Sequence, residues 1–81
     1  MSRYFFNYCS PDRTVLDDEG TELATAGVAR EEAIATLVQI AVAELSNAGD
    51  HIELSMHVTG EGGLPLFAVR IDFNVDPSPR P

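Results

Sequence analysis

The chain has no tryptophan, no lysine and a single cysteine among its 81 residues. Each scarcity excludes something. Cys9 alone cannot close an intrachain disulfide. One Cys and two His are also too few for a closed structural zinc site, which takes four ligands. The five bases are all arginine, and Arg3, Arg13, Arg30, Arg70 and Arg80 are scattered, each near acids. Nucleic acids and anionic membranes are held by clustered cations, so neither is an expected partner, and no metal or cofactor is expected. No long apolar run is present. The most apolar stretch, residues 33–43, contains Thr36 and Gln39, and a bilayer span needs about 20 apolar residues. The start of the chain shows no charged-then-apolar leader pattern, because the run from Tyr4 to Tyr8 is interrupted by Asn7. A lone thiol without an export pattern leads to the expectation of a cytoplasmic protein.

Acid is what the chain has in excess. Thirteen carboxylates against five arginines give a net charge of −8 and a pI near 4.3. The length allows one domain. A chain this short buries roughly 60–65% of its unfolded surface, and typical stability per residue scales to roughly 4–12 kcal/mol. With no disulfide and no metal to help, self-association is the remaining common support for so thin a core.

Periodicity orders the elements. Residues 3–9 hold four of the six aromatics and read as a first strand, with Tyr4, Phe6 and Tyr8 on one face and Phe5, Asn7 and Cys9 on the other. Apolar weight on both faces predicts a central or doubly covered strand. Ser10-Pro11-Asp12 signals a turn, and Arg13 to Leu16 a short second strand. After Gly20 the chain passes through Thr21, Glu22 and Leu23 towards a helix with Thr25 as N-cap, running to about Asn47 and stopped by Gly49. Residues 51–59 alternate, with Ile52, Leu54, Met56 and Val58 inward. Gly60 to Gly63 forms a hairpin loop. Residues 66–75 alternate again, with Phe67, Val69, Ile71 and Phe73 inward. The expected fold is α+β, in the order β-β-α-β-β: a four-stranded, mainly antiparallel sheet with one long helix packed on one face. Residues 1–75 form the domain, and 76–81 read as a frayed, proline-rich tail.

Several motifs carry a resemblance. Arg3-Tyr4-Phe5-Phe6 is followed by Asp18-Glu19-Gly20-Thr21-Glu22-Leu23 and then by a helix containing Ala29-Arg30-Glu31-Glu32-Ala33. The chain resembles a family of short bacterial proteins classed as a domain of unknown function, over about residues 1–75. Its members commonly begin Arg-Tyr-Phe-Phe and pass from an Asp-rich loop into an Ala-Arg-Glu helix. Members often have His or Asp where this chain has Asn7. They also often have a Pro-Asp type start to the helix where this chain has Ala24-Thr25. The resemblance implies the architecture and no activity.

Candidate chemistry is sparse. His51 and His57 lie six residues apart on one strand, about 20 Å, too far to share an ion with Zn–N bonds of about 2 Å. A four-residue loop at Gly60 to Gly63 places His51 opposite Asp72 and Glu53 opposite Arg70, two stabilising cross-strand pairs. The acids Asp17, Asp18, Glu19 and Glu22 lack the spacing of a calcium loop and read as a solvated turn. Cys9 reads as a small buried hydrophobe. The glycine loop lacks the lysine and following helix of a phosphate cradle.

The helix is the informative element. At 100° per residue, Ile34, Leu37, Val38, Ile40, Ala41, Val42 and Leu45 span an arc of roughly 200°, more than one sheet face covers. The excess predicts an interface at Val38, Val42 and Leu45, together with the outer face of Tyr4, Phe6 and Tyr8. The expected protein is thus a small non-enzymatic interaction module, acting as a homodimer. The competing expectation is an acidic, antitoxin-like regulatory subunit that neutralises a basic protein partner, by loose analogy of element order.

Overall fold

A computed structural model describes residues 1–76 of the chain. Its elements are β1 (Ser2–Cys9), β2 (Thr14–Val15), β3 (Thr21–Leu23), α1 (Ala26–Leu45), β4 (His51–Thr59) and β5 (Pro65–Asn74), with a single 3-10 turn, Glu61–Gly63, between the last two strands. The residues expected to form a tail lie, beyond Asp76, outside the described residues.

The fold is α+β with an antiparallel sheet of five strands rather than four. The order is β2-β1-β4-β5, and β3 shares with β2 the same edge of β1. Cys9 and Tyr8 pair with β2, while Ser2, Arg3 and Tyr4 pair with β3. The sequence reading missed β3 because three residues carry no periodicity. They become a strand only because the chain turns at Gly20, at φ +74°, and falls back alongside β1. The second strand is correspondingly shorter than expected. β1 is central, as its aromatics predicted.

Thr25 caps α1 as expected: its backbone is extended and its Oγ1 accepts from Val28 N–H at 3.1 Å. The helix ends at Leu45, two residues earlier than expected, and tightens into three-residue turns, with Asn47 N–H on Glu44 O and Ala48 N–H on Leu45 O. Gly49, at φ +72°, then reverses the chain into β4. Ala29, Ala33, Leu37 and Ala41 form the buried stripe. Three of the four are alanine, so the helix backbone lies close to the sheet.

The core sits between α1 and one face of the sheet. It joins that stripe to Tyr4, Tyr8, Leu54, Met56 and Val58. The inward row of β5, Phe67, Val69, Ile71 and Phe73, is half-buried, because β5 is an edge strand with no neighbour beyond it among the described residues. The expected placement of Tyr4, Phe6 and Tyr8 on an outer interface needs correction. Tyr4 and Tyr8 are 7% and 5% exposed, and Phe6 packs half-buried against the core. Their face of β1 is the one the helix covers, since Phe5, Asn7 and Cys9 take the other.

The register of the β4–β5 hairpin also differs from expectation. An irregularity at Val58/Thr59 and pairing of Thr59 with Pro65 shift the strands, so that His51 faces Asn74, Glu53 faces Asp72 and Ser55 faces Arg70. A shift of two residues keeps every side chain on its expected face. It replaces the expected Glu53–Arg70 pair by two opposed carboxylates.

Candidate functional site on the open face of the sheet

The face of the sheet away from α1 has no covering layer among the described residues. Alternation brings to it Phe5, Asn7 and Cys9 from β1, His51, Glu53, Ser55 and His57 from β4, and Arg70, Asp72 and Asn74 from β5. Between the turn at Ser10 and the β4–β5 ladder lies a shallow groove of about 430 Å³, lined by Cys9, Glu53, Ser55, His57, Arg70 and Asp72 among others. Its volume is within the range of small-molecule sites, but it is open along one side.

The polar contacts here are short-range. Ser55 Oγ lies 3.2 Å from His57 Nε2. His51 Nδ1 is 2.7 Å from Asn74 Oδ1 and 3.6 Å from Asp72 Oδ1, and Asn74 Nδ2 donates to Asp72 Oδ1 at 3.0 Å. Ligand atoms of His51, Glu53 and Asp72 lie within 4.8 Å of one another. One nitrogen and two oxygens are donors that divalent metals accept. All three side chains are exposed, however, and His51 Nδ1 is already engaged by Asn74, so the trio falls short of a closed four-ligand site. The two histidines do not meet, as their separation along β4 predicted. The sequence reading set His51 against Asp72 with Glu53 on the same face; the shifted register puts Asp72 opposite Glu53 instead and leaves His51 in contact with it on the diagonal.

Cys9 is half-buried at the end of β1 on this open face, not inside the core as expected. Its Sγ contacts Thr14 Oγ1 at 3.7 Å and Ser10 O at 3.9 Å.

The acidic loop has a structural part. Backbone groups of even-numbered β1 residues point to the β2 and β3 edge, and between those two short strands Phe6 N–H meets no strand. The Asp17 carboxylate takes that place: Oδ2 accepts from Phe6 N–H at 3.0 Å, and Oδ1 accepts from Glu19 N–H at 3.1 Å and Gly20 N–H at 3.0 Å. Partial burial pushes the Asp17 pKa up, but the Gly20, Phe6 and Glu19 amides together outweigh it and hold the carboxyl below the ordinary aspartate value. Asn7 completes the knot. Its Oδ1 accepts from Asp17 N–H at 3.0 Å and its Nδ2 donates to His57 O at 3.1 Å. Arg3 closes the outside of the loop on Glu19 O at 2.8 Å and Glu22 Oε2 at 3.3 Å. Asp18 and Glu19 remain exposed.

The chain matches the family model described as a domain of unknown function (DUF6894) over residues 3–72. The chain belongs to this family. The match takes in the helix and all of the sheet but the first residue of β1 and the last two of β5. Its first residue, Arg3, is the one that clamps the acidic loop. No curated protein and no solved structure matches the chain. No described helix is long and apolar enough to cross a membrane.

Of the remaining expected interface residues, Val38 and Val42 are 48% and 73% exposed. Leu45 is half-buried and packs against the core. The helix arc was therefore read rightly as wider than the sheet covers, with Leu45 at its margin.

Proposed function

We propose that this DUF6894 protein is a non-enzymatic protein–protein interaction module that works as a homodimer. The observation that carries this reading is the exposure of Val38 and Val42 side by side on a helix whose opposite stripe is fully buried. Contiguous apolar surface of this kind marks interaction sites, and a core of nine buried residues among those described, three of them alanine, gains from a second chain.

A binding role is favoured over a catalytic one by the chemistry of the open face. Ser55 and His57 touch, but no carboxylate orients the other ring nitrogen of His57 among the described residues. The backbone amides around Ser55 are committed to the β1 and β5 ladders, so none is free to stabilise an oxyanion. A second reading, an acidic subunit that neutralises a basic protein, draws on the exposed Asp18 and Glu19 of the loop and on the net charge of −8.

Light scattering across a wide concentration range tests the homodimer. A mass twice that of the chain is expected, and a monomer at every concentration overturns it. Association that appears only on adding a basic protein, and vanishes at high salt, favours the second reading instead.

A further inference from the structure

The free edge of β5 carries a pattern that complements itself. Val75 N–H donates to Asp50 O at 2.7 Å. Backbone pairing alternates along an antiparallel ladder, so the odd-numbered residues of β5 turn their N–H and C=O groups to β4. The even-numbered ones, Leu66, Ala68, Arg70, Asp72 and Asn74, turn theirs outward, where no strand meets them among the described residues. The edge is 10 residues long and its proline, Pro65, stands at its first position. Unprotected edges of this length are templates for strand addition.

We propose that β5 pairs antiparallel with β5 of a second copy about a two-fold axis at Ile71, joining the two sheets into one. This rests on the homodimer reading above and names its surface. In this register Arg70 lies opposite Asp72 of the second copy, twice by symmetry. Moving the axis to Arg70 or to Asp72 sets like charges face to face, which is destabilising. The two charges therefore reward one register and penalise its neighbours, whereas a run of one sign would repel in all of them. On the helix side, the same register sets Ile71 against Ile71, Val69 against Phe73, and Phe67 against the exposed Val75. It also answers an imbalance within one copy: Glu53 and Asp72 oppose each other, and Arg70 makes no ion pair among the described residues. Arg70 of the second copy brings a cation to that acid pair.

The helix falls on the right side. α1 leaves β3 beside the start of β1 and reaches β4 beside the end of β1, so it runs parallel to β1 and β5. Viewed from the helix with β1 pointing up, the chirality of an L-chain whose even β1 residues face the viewer and bond β3 puts β5 on the left. A right-handed helix with Leu37 on the sheet turns Val38 and Val42 to that same side. α1 packs over β4, touching β5 on one side and β1 and β3 on the other. The two helices of the dimer then lie on the same face of the joined sheet, with Val38, about 100° round from Leu37, turned towards the second copy and Val42 further out towards solvent.

Charge reversal tests this, read as the dimer dissociation constant by sedimentation equilibrium, with circular dichroism to verify the fold. Arg70 and Asp72 are exposed, so their replacement leaves the monomer folded. Arg70→Asp and Asp72→Arg should each weaken the dimer at least about tenfold, and the double variant should restore it. Ile71→Cys in a Cys9→Ser chain should cross-link two copies on mild oxidation, since Cα atoms of such a central pair lie about 4.5 Å apart. Val69→Cys, which faces Phe73 of the second copy, should not. Single variants that dimerise like the native chain, or a double variant that stays weak, overturn this surface while the homodimer stands. A native chain that is monomeric throughout overturns both.

Discussion

The Asp17 carboxylate stands in for a strand, accepting the Phe6 backbone N–H at 3.0 Å in the gap that β2 and β3 leave along β1. Asp17→Ala should therefore destabilise the fold by about 1–3 kcal/mol, since three amides lose a charged acceptor and that of Phe6 is part-buried. Asp18→Ala, at the next residue but exposed, should change stability by less than about 0.5 kcal/mol. Urea unfolding of the two variants checks the contrast.

The same carboxylate predicts a pH dependence. Its folded pKa is lowered, so its stabilisation is present above the unfolded aspartate value of about 3.9 and is lost as pH falls through the lower, folded value. Over that window the unfolded chain binds more protons than the folded one, and stability falls with acidification. Asp17→Asn should make this fall shallower below about pH 4, and an identical acid profile for variant and native chain would contradict the assignment.

Gly20 and Gly49 share a left-handed conformation, at φ +74° and +72°, but differ in their surroundings. A Cβ on Gly20 would lie 2.7 Å from Arg3 Cγ and 2.9 Å from Phe5 Cε2, whereas one on Gly49 meets nothing within 4 Å. Gly49→Ala should cost about 1–2 kcal/mol from backbone strain alone. Gly20→Ala should cost about 2–4 kcal/mol, because it also displaces the side chains that hold the acidic loop. Thermal unfolding of both variants measures the difference.

Tyr8 Oη is buried and has no hydrogen-bond partner among the described residues. An unpaired buried hydroxyl is costly. Tyr8→Phe should thus leave stability unchanged or raise it by up to about 1 kcal/mol, an outcome opposite to that of most core substitutions. A clear loss of stability on calorimetry would mean that the hydroxyl is satisfied in solution.

Val42 is 73% exposed. Val42→Glu should leave the stability of the isolated chain within about 0.5 kcal/mol and weaken association at least about tenfold, equivalent to about 1.4 kcal/mol. Sedimentation equilibrium separates the two effects. Undiminished association would remove the helix flank from the interface.

Much of the architecture was legible because it is periodic. The alternation of residues 51–59 and 66–74 gave the correct inward rows, Thr25 capped the helix as its side chain requires, and the 200° arc foretold exposed valines at 38 and 42. β3 was illegible because three residues have no period. The face of β1 was ambiguous for a different reason: with aromatics at 4, 5, 6 and 8, both faces satisfy the pattern, and only the position of α1 chooses Tyr4 and Tyr8 for the core.

The open-face cluster was legible in its members but not in its pairings. Sequence alternation put His51, Glu53, Arg70 and Asp72 together on one face, and that holds. Which of them meet depends on the irregularity at Val58/Thr59, and the two-residue shift of register changes every partner while moving no side chain to the other face.

The amino-acid order by itself determined the acidic charge, the absence of any covalent staple, the helix with its cap, and the two alternating strands, because these follow from composition and local period. Tertiary structure alone decided that Asp17 fills a gap in the sheet, that Glu53 faces Asp72, and that β5 ends the sheet with its outward backbone groups unpaired among the described residues. Those depend on which strands lie side by side and in what register, and the free energy that selects them comes from contacts between residues far apart in the chain.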